Sequence, residues 1–325
     1  MTRRALITGG AGFIGSHVSD LFLAKGWSVD IIDDLSSGNR ENVDAASRLH
    51  VLDIGSRDAA SLVVNGRFDV IVHLAAQIDV RRSVDDPIFD VGVNVAGTLN
   101  LLEAVRETGR GAKTRVVFTS TGGALYGAAT NPPSVETTPK DPDAPYGIAK
   151  LSAEYYLAYY ARVHGFDTAC LRFGNVYGPR QDPHGEAGVV AIFCGRILDK
   201  QPLTVFGDGR QTRDYIHVTD VVEATFLAAT APLPGAGGVD QRAFNVGTGI
   251  GTSVLDLAST LLRAAASDAP IEFAPKRIGE LQHSALSIEK ARSVLGWSPR
   301  MSLARGLSDT FAWFEGRYVP SRSPT

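Results

Sequence analysis

The sequence of 325 residues contains little cysteine and no excess of charge of either sign. Its two cysteines, Cys170 and Cys194, belong to no Cys-x-x-Cys or Cys/His cluster, which argues against a metal site, a redox motif and a disulfide framework. With 32 Lys and Arg against 35 Asp and Glu, the net charge of −3 predicts no general affinity for nucleic acid. We expect both thiols to be buried in a reducing compartment.

Long apolar runs are also missing. No stretch approaches about 20 apolar residues, so we expect no membrane partner. The opening Met1-Thr2-Arg3-Arg4 leads into a short apolar run and a glycine cluster, without the apolar region or cleavage site of a signal peptide. We therefore expect a soluble, cytoplasmic protein. A composition with 44% hydrophobic and 21% charged residues is that of a globular chain, not of a disordered one.

Short apolar runs alternate with helical patterns through the first half of the chain. The predicted strands cover residues 5–8, 28–33, 49–53, 70–73, 115–119 and 168–173, and the predicted helices cover 13–25, 58–64, 89–108 and 146–164. Nearly continuous apolar strands separated by helices are typical of a parallel sheet covered on both faces. The sequence therefore predicts an α/β fold with a Rossmann-type doubly wound sheet.

A glycine-rich turn follows the first predicted strand and opens the first predicted helix. Its sequence is Thr8-Gly9-Gly10-Ala11-Gly12-Phe13-Ile14-Gly15. Glycines at these positions allow a tight turn, a close approach of the backbone to a pyrophosphate, and close packing of helix on strand. The pyrophosphate charge would meet the helix N-terminus. We predict that a dinucleotide contacts Gly9, Gly12, Phe13, Ile14 and Gly15.

The dinucleotide is predicted to be NAD. Asp33 ends the second strand, where a carboxylate accepts hydrogen bonds from the adenosine ribose hydroxyls, and Asp34 adds charge that repels a 2′-phosphate. Later strand ends supply further predicted cofactor contacts: Asp53 and Ile54 at the adenine, and Leu74, Ala75 and Ala76 beneath the cofactor.

Beyond residue 174 the alternation loosens. Helices are predicted at 188–198, 219–230, 253–265, 288–295 and 303–317, and strands at 203–206, 214–217 and 242–246, with a loop at 231–240. We predict an NAD-binding domain over residues 1–173 with a returning segment at about 214–246. Residues 174–213 and 247–320 are predicted to form a smaller mixed α/β substrate-binding domain, followed by a disordered tail at 321–325.

A tyrosine and a lysine four residues apart provide the candidate catalytic pair. Tyr146 and Lys150 lie on one face of a predicted helix, one turn apart. The ammonium and a positively charged nicotinamide would both favour the phenolate and lower the pKa of Tyr146. Tyr146 is then the proton carrier and Lys150 its electrostatic partner. At the end of the fifth strand, Thr121 or Ser120 is positioned to hydrogen-bond the reacting sugar oxygen.

As a set, these motifs resemble the extended short-chain dehydrogenase/reductases, and within them nucleotide-sugar 4-epimerases of the UDP-glucose 4-epimerase type. Further carriers of the resemblance are His73-Leu74-Ala75-Ala76, Asn94, Arg172 to Gly178, Phe206 to Gly209 and Arg213 to Val218. The resemblance spans about residues 4–318. It implies a tightly held NAD, a UDP-sugar substrate and inversion at C4 through a transient 4-keto sugar.

The resemblance also implies roles for residues outside the glycine turn and the catalytic pair. Gln77, Asn94 and Phe173 would contact the cofactor. Thr121, Tyr146, Asn175, Val189, Val190, Arg213 and Arg277 would contact the substrate, with the two arginines on its diphosphate. It further implies a homodimer in which helices 146–164 and 89–108 pair with their mates as a four-helix bundle.

Several alternatives stay open within this resemblance. Gly122 and Gly123 stand where sugar-nucleotide 4,6-dehydratases carry an Asp-Glu pair, which argues against a dehydratase. The Asp33-Asp34 pair argues against an NADP-dependent reductase, and the complete catalytic set argues against a non-catalytic NAD-binding protein. Ser284 leaves room at C2 of the sugar, so UDP-N-acetylglucosamine is an alternative substrate, as is UDP-glucuronate.

Overall fold

The computed structural model describes residues 2–128, 131–183, 188–276 and 281–318. The strands are β1 (Arg4–Thr8), β2 (Ser28–Asp33), β3 (Arg48–Val51), β4 (Val70–His73), β5 (Arg115–Thr121), β6 (Asp167–Phe173), β7 (Asn175–Tyr177), β8 (Leu203–Phe206), β9 (Thr212–Arg213), β10 (Tyr215–His217), β11 (Ala243–Val246), β12 (Thr252–Ser253) and β13 (Ile271–Ala274). The helices are α1 (Phe13–Ala24), α2 (Arg57–Gly66), α3 (Val80–Asp85), α4 (Pro87–Val91), α5 (Thr98–Glu107), α6 (Gly122–Leu125), α7 (Pro145–His164), α8 (Val189–Leu198), α9 (Val218–Thr230), α10 (Val254–Ala264) and α11 (Leu303–Glu315).

Seven parallel strands form the central sheet, in the order β11-β6-β5-β4-β1-β2-β3. The strand order reverses between β1 and β4, so the loops after these two strands diverge and leave a crevice at the carboxyl edge. Three two-stranded sheets lie outside it: β10 with β7, β12 with β9, and β13 with β8. The predicted doubly wound α/β fold is confirmed.

Alternating side chains of the strands build a separate core on each face of the sheet. On one face Ala5 and Ile7 of β1 pack in a cluster with α1 and α9. On the other face Leu6 of β1 joins a cluster that includes side chains of α2, α5 and α7. This alternation explains why the strands read as continuous apolar runs, since each face is buried beneath helices.

A third apolar cluster is built from the second half of the chain. It unites α8, β8, α10 and α11 and includes Tyr177 and Tyr215. Meanwhile β11 returns to the central sheet and pairs with β6. The division into a cofactor-binding and a substrate-binding domain stays a prediction, and residues 321–325 lie outside the described residues.

Some element boundaries differ from the sequence-based prediction. The helix expected at 89–108 is interrupted, because a π-helical turn at Gly92–Gly97 separates α4 from α5. A second π-helical turn, Ala291–Leu295, ends the helix expected at 288–295. The strand expected at 214–217 is β10, which pairs with β7 outside the central sheet. The short elements α3, α6, β7 and β13 were not predicted, since each is too short to show a period.

By length and composition alone, the continuous helical stretch Pro87–Glu107 is apolar enough to cross a membrane. Core helices of soluble proteins meet the same criterion, and 44% of the apolar window is buried within the protein. It is therefore weak evidence for a membrane span. Cys170 and Cys194 are both buried free thiols, as predicted. Within the described residues, no group of three His, Cys, Asp or Glu side chains is arranged to hold a metal ion.

Candidate active site

The glycine turn is shaped by contacts that exclude side chains. Gly9 has a φ of +70°, and a Cβ there would lie 2.8 Å from the backbone nitrogen of Ala75. A Cβ on Gly15 would collide with the carbonyl oxygen of Gly9. No side chain caps α1 at Gly12, so the first N–H groups of this helix remain available to an anion. The turn is thus an open cradle of the kind that a dinucleotide pyrophosphate needs.

Asp33 is fixed beside this cradle. Its carboxylate is buried and accepts hydrogen bonds from the backbone N–H groups of Ala11 and Leu35, both at 2.9 Å. A Cβ on Gly38 would lie 2.5 Å from Asp33 Oδ1, so the loop after β2 passes directly over the carboxylate. Asp34 is exposed instead, and its Oδ1 accepts hydrogen bonds from the backbone and hydroxyl of Ser36. Only Asp33 is therefore held in the crevice by the fold.

The predicted adenine contacts are of two kinds. Asp53 is exposed, and its Oδ1 accepts a 2.7 Å hydrogen bond from the Gly55 N–H. Ile54 is buried in the core beneath α5. Its carbonyl accepts a hydrogen bond from Asn100 Nδ2 at 2.7 Å. Ile54 therefore fixes the loop after β3 to the neighbouring helix.

The segment after β4 is bonded to the end of β1. The backbone N–H groups of Leu74 and Ala75 donate to the carbonyl and hydroxyl oxygens of Thr8, at 3.1 Å each. Ala76 follows with a half-buried methyl group. These small residues leave space above the carboxyl edge of the sheet, where the strand order reverses.

His73 fixes this segment through a directional chain of hydrogen bonds. Thr98 Oγ1 donates to the carbonyl of Asn94 at 2.8 Å, so it accepts from His73 Nε2 at 2.9 Å. His73 Nδ1 must then accept from Thr8 Oγ1, at 2.7 Å. Burial, and secondly the charge of Lys150, lower the pKa of His73 to about 3. A neutral imidazole in one tautomer thus ties β1 to the π-helical turn.

Asn94 occupies that π-helical turn and is also fully engaged. Its Nδ2 donates to the carbonyl of Gln77 and to Asp90, and its Oδ1 accepts from the Gln77 N–H at 3.1 Å. The side chains of Asn94 and Gln77 are both buried. Phe173 is buried in the core as well.

Tyr146 and Lys150 lie on the first turns of α7, which begins at Pro145. The Tyr146 N–H donates to Ser83 Oγ at 3.2 Å, which attaches α7 to α3. Lys150 is almost completely buried and donates from Nζ to the carbonyl of Thr119 at 3.1 Å. Its ammonium also lies 4.8 Å from the centre of the Phe118 ring. The pair therefore stands at the carboxyl end of β5.

The electrostatics of this pair differ from the sequence-based expectation. Burial, and secondly the carboxylate of Asp90, raise the pKa of Tyr146. Burial lowers the pKa of Lys150 to about 8. The expected lowering of the Tyr146 pKa is therefore not achieved by the chain's own ammonium. A lowered pKa of Tyr146 would need the positive charge of the nicotinamide ring as well.

The two candidate hydroxyls at the end of β5 are distinguishable by exposure. Ser120 Oγ is buried and has no hydrogen-bond partner among the described residues. Thr121 is half-buried and ends β5. A Cβ placed on Gly123 would be 3.9 Å from Thr121 Oγ1 and 3.7 Å from Asn175 Oδ1. Thr121 thus opens onto the space that Asn175 borders, whereas Ser120 does not.

The predicted substrate residues come from three elements. Asn175 begins β7, and Arg213 ends β9 just before β10, the partner of β7. Val189 and Val190 begin α8, which no side chain caps. Val190 is buried in the third cluster, so only its backbone faces a ligand. Arg277 lies outside the described residues.

The open cradle and the buried ammonium both fit a bound dinucleotide. The comparisons with known proteins point the same way. The model of the NAD dependent epimerase/dehydratase family matches residues 5–247. The chain belongs to this family. Membership confirms NAD as the cofactor and confirms the resemblance drawn from the sequence motifs.

Individual relatives cover almost the whole chain. The UDP-glucose 4-epimerase of Mycolicibacterium smegmatis is 46% identical over 319 residues, which are 97% of this chain and 99% of the relative. The crystal structure of the Thermotoga maritima UDP-glucose 4-epimerase with UDP-glucose has a TM-score of 0.91 at 41% identity, over 97% of this chain and 99% of that one. The Thermus thermophilus UDP-glucose 4-epimerase in complex with NAD has a TM-score of 0.89 at 41% identity, over 97% and 100%.

One buried acid close to the catalytic pair was not singled out by the sequence analysis. Asp90 is fully buried, accepts hydrogen bonds from Gln77 and Asn94, and acts electrostatically on both Tyr146 and Lys150. A signal was present, because Asp90 precedes Asn94 by four residues and so shares its helix face.

Proposed function

We propose that this protein is a UDP-glucose 4-epimerase that uses NAD. The observation that carries the proposal is the pairing of a half-buried Tyr146 with a buried Lys150 at the end of β5, beside an open dinucleotide cradle. The three relatives described above are UDP-glucose 4-epimerases, one of them in complex with NAD and another with UDP-glucose.

In the proposed reaction, NAD held by the glycine turn and Asp33 would supply reversible hydride transfer at C4 of the sugar, with inversion at that carbon. Tyr146 takes the proton of the 4-hydroxyl as the C4–H bond breaks, and it gives the proton back when the hydride returns. Lys150 supplies positive charge that stabilises the phenolate of Tyr146. Thr121 donates a hydrogen bond to the sugar oxygen in both directions. No external reductant is consumed, because each turnover restores the cofactor.

The substrate diphosphate is proposed to lie between β7, β9 and the start of α8. Asn175 and Arg213 supply polar and charged groups there, and the backbone at Val189 and Val190 supplies N–H donors. Arg277 is proposed as a second guanidinium on the diphosphate. This arrangement corresponds to a substrate domain at 174–213 and 247–320 beside an NAD domain at 1–173 with 214–246.

The end of β5 favours an epimerase over a dehydratase. A Cβ on Gly122 would lie 2.5 Å from Leu286 Cδ1, so position 122 has no room for a carboxylate side chain. Neither Gly122 nor Gly123 can supply an acid for the loss of water. The related dTDP-glucose 4,6-dehydratase DesIV from Streptomyces venezuelae shares the fold, with a TM-score of 0.84 at 31% identity.

A small residue borders the proposed sugar pocket. Ser284 is buried, and its N–H donates to the carbonyl of Thr212, beside Arg213. Its short side chain supports acceptance of an N-acetyl group at C2. We therefore expect turnover of UDP-N-acetylglucosamine as well as UDP-glucose. The variant Ser284→Tyr should lose turnover of UDP-N-acetylglucosamine and keep turnover of UDP-glucose.

The test is incubation of the purified protein with UDP-glucose, without added NADH, followed by NMR of the anomeric proton. Appearance of UDP-galactose supports the proposal. A 4-keto-6-deoxy product would instead indicate a dehydratase, and an unchanged substrate would contradict both. UDP-N-acetylglucosamine and UDP-glucuronate in parallel samples define the sugar preference.

We also propose a homodimer through the outer faces of α4 and α7. Ile88 is 84% exposed on α4, and Tyr155 and Val163 are 56% and 60% exposed on α7. Tyr156 and Tyr159 are exposed as well, whereas Tyr160 is buried. Because α4 packs against α7, these apolar side chains lie on one pair of neighbouring helices.

The proposed dimer is tested by light scattering. The wild-type protein is expected to have twice the mass of the chain at micromolar concentration, and Ile88→Asp is expected to be monomeric. Ile250→Asp, at an exposed apolar residue on another surface, is the control and should leave the mass unchanged. A monomeric wild-type protein would contradict the proposal.

A further inference from the structure

Asp90 is a buried carboxylate that forms no salt bridge within the part of the chain that the structure describes. It is completely inaccessible to solvent, and its Oδ1 accepts hydrogen bonds from Gln77 Nε2 at 2.9 Å and Asn94 Nδ2 at 3.0 Å. Its Oδ2 has no hydrogen-bond partner among the described residues. A buried carboxylate that lacks a salt bridge is costly for stability, so its presence calls for another explanation.

The surroundings hold this carboxylate rigidly. Asn94 also bonds the backbone of Gln77 twice: its Nδ2 donates to the Gln77 carbonyl, and its Oδ1 accepts from the Gln77 N–H. These bonds close a ring of hydrogen bonds that includes Asp90. Asn94 lies in the π-helical turn after α4, and such turns re-aim side chains at functional sites. Both α4 and the π-helical turn pack directly on α7, the helix that carries Tyr146 and Lys150.

The opposite charge that Asp90 meets across this packing is the ammonium of Lys150. The two groups act on each other electrostatically, although among the described residues no carboxylate lies within ion-pair distance of Lys150. The other titratable groups that face Lys150 are Glu154 on its own helix, Cys170 on β6 and the neutral His73 on β4. Asp90 is the one of these that also acts on Tyr146.

We propose that Asp90 is a positioning residue of the catalytic pair, whose clamped carboxylate sets the electrostatic field at both Tyr146 and Lys150. The inference rests on the proposed epimerase function and deepens it. The negative charge of Asp90 favours the protonated forms of both Tyr146 and Lys150. Lys150 therefore stays an ammonium, and Tyr146 becomes a phenolate only when cofactor and substrate are bound. The hydrogen bonds of Gln77 and Asn94 oppose the effect of burial, which raises the pKa of Asp90 itself.

The test is the pH profile of kcat for Asp90→Asn, which keeps the shape of the side chain and removes its charge. Activity needs a deprotonated Tyr146 and a protonated Lys150, so both pKa values should fall together. The whole bell-shaped profile should move to lower pH by about 0.5–1 unit. If Asp90 is merely structural, kcat falls equally at every pH and neither limb moves, which overturns the proposal.

Asp220→Asn is the matched control, because Asp220 is a buried carboxylate on α9, across the sheet from α7. Its oxygens accept hydrogen bonds from the backbone N–H groups of Arg300 and Met301 at 3.0 Å. This variant should lose stability and keep both limbs of the profile in place. A shift as large as that of Asp90→Asn would mean that any buried carboxylate has this effect, and would overturn the proposal.

A second measurement does not depend on turnover. The ionisation of Tyr146 is followed by tyrosinate absorbance, as the difference between each protein and its Tyr146→Phe counterpart. Asp90→Asn should lower the midpoint, and an unchanged midpoint would overturn the inference. If the wild-type protein turns over no UDP-glucose, the proposed function fails while this titration still decides the role of Asp90. If Asp90→Asn does not fold, Asp90→Ser is expected to give the same shift.

Discussion

Two buried charges one turn apart on α7 are stabilised in opposite ways. Glu154 is paired with the fully buried guanidinium of Arg172 through Nε at 3.1 Å and Nη2 at 2.6 Å. Arg172 also donates to Asp240, to Tyr126 and to a backbone carbonyl. Lys150, on the preceding turn, has a single hydrogen-bond partner among the described residues, the backbone carbonyl of Thr119 at 3.1 Å. The carboxylate of Glu154 is therefore paired with an opposite charge, whereas the ammonium of Lys150 meets only a neutral carbonyl among the described residues.

The two environments shift the pKa values of Arg172 and Lys150 in opposite directions, which suits a structural role for Arg172 and a chemical role for Lys150. Burial opposes the charge on Arg172, but the hydrogen bonds and charge of Glu154 outweigh it and raise the pKa of the guanidinium. At Lys150 burial dominates and lowers the pKa to about 8, close to neutral pH. A satisfied pair holds β6 against α7, whereas an unsatisfied ammonium can respond to a substrate. The comparison can be tested by altering each side in turn.

The largest effect is expected at the catalytic tyrosine. Tyr146→Phe should lower kcat by about 10³-fold, because it removes the group that exchanges a proton with the sugar. The variant should still bind NAD, as measured from the absorbance of the purified protein. Tyr126→Phe is the control, since Tyr126 OH bonds Asn245 at 2.7 Å in the satisfied network. Its kcat should change less than threefold; equal losses would show that Tyr146 has no special role.

Breaking the satisfied pair should affect stability first. Arg172→Met leaves Glu154 buried without its partner and should lower the free energy of unfolding by about 3–5 kcal/mol. Urea denaturation measures the change. The double variant Arg172→Met/Glu154→Leu should recover most of the loss, because it removes both charges. A single variant as stable as the wild-type protein would contradict the assignment.

Removing the unsatisfied ammonium should have the opposite effect on stability. The pKa of Lys150 is lower in the folded protein than in the unfolded chain, so the unfolded chain binds more protons between pH 8 and 10.5. Wild-type stability should therefore rise across this window, by roughly 3 kcal/mol at most. Lys150→Met should lack that rise, lose its activity, and be at least as stable as the wild-type protein at pH 7. A parallel pH dependence in both proteins would contradict the assigned burial.

The part of the site that could be predicted from the sequence depends on short, contiguous spacing. The glycine turn follows β1 at once, and Tyr146 and Lys150 are separated by one helical turn. Such patterns are visible in the sequence itself, because the periods of helices and strands determine the direction of each side chain. The alternating fold was predictable for the same reason, since each face of the sheet is buried by helices.

The remaining features depend on contacts between distant segments. Asp90 looks like a surface acid within an amphipathic helix until Gln77 closes over it from the loop after β4. Without a cofactor, burial and the charge of Asp90 raise the pKa of Tyr146, and the sequence shows neither of these contacts. The choice between Ser120 and Thr121 depends on the exposure of each hydroxyl, which the sequence does not show.

The smallest expected effect is at the end of β5. Thr121→Val should lower kcat by about 10–100-fold, because it removes a hydrogen bond to the reacting sugar oxygen and keeps the side-chain shape. Ser120→Ala deletes a buried hydroxyl for which the described parts of the chain supply no partner, and it should keep kcat and stability near the wild-type values. Steady-state kinetics with UDP-glucose decide between them. The reverse order of effects would assign the role to Ser120.

The central claim is that a hydride leaves C4 and returns to the same carbon while Tyr146 carries the proton. UDP-glucose with deuterium at C4, incubated with the protein in ordinary water, tests it most directly. We expect UDP-galactose that retains deuterium at C4, as measured by mass spectrometry and NMR. Product that has exchanged this deuterium for solvent hydrogen would contradict the account.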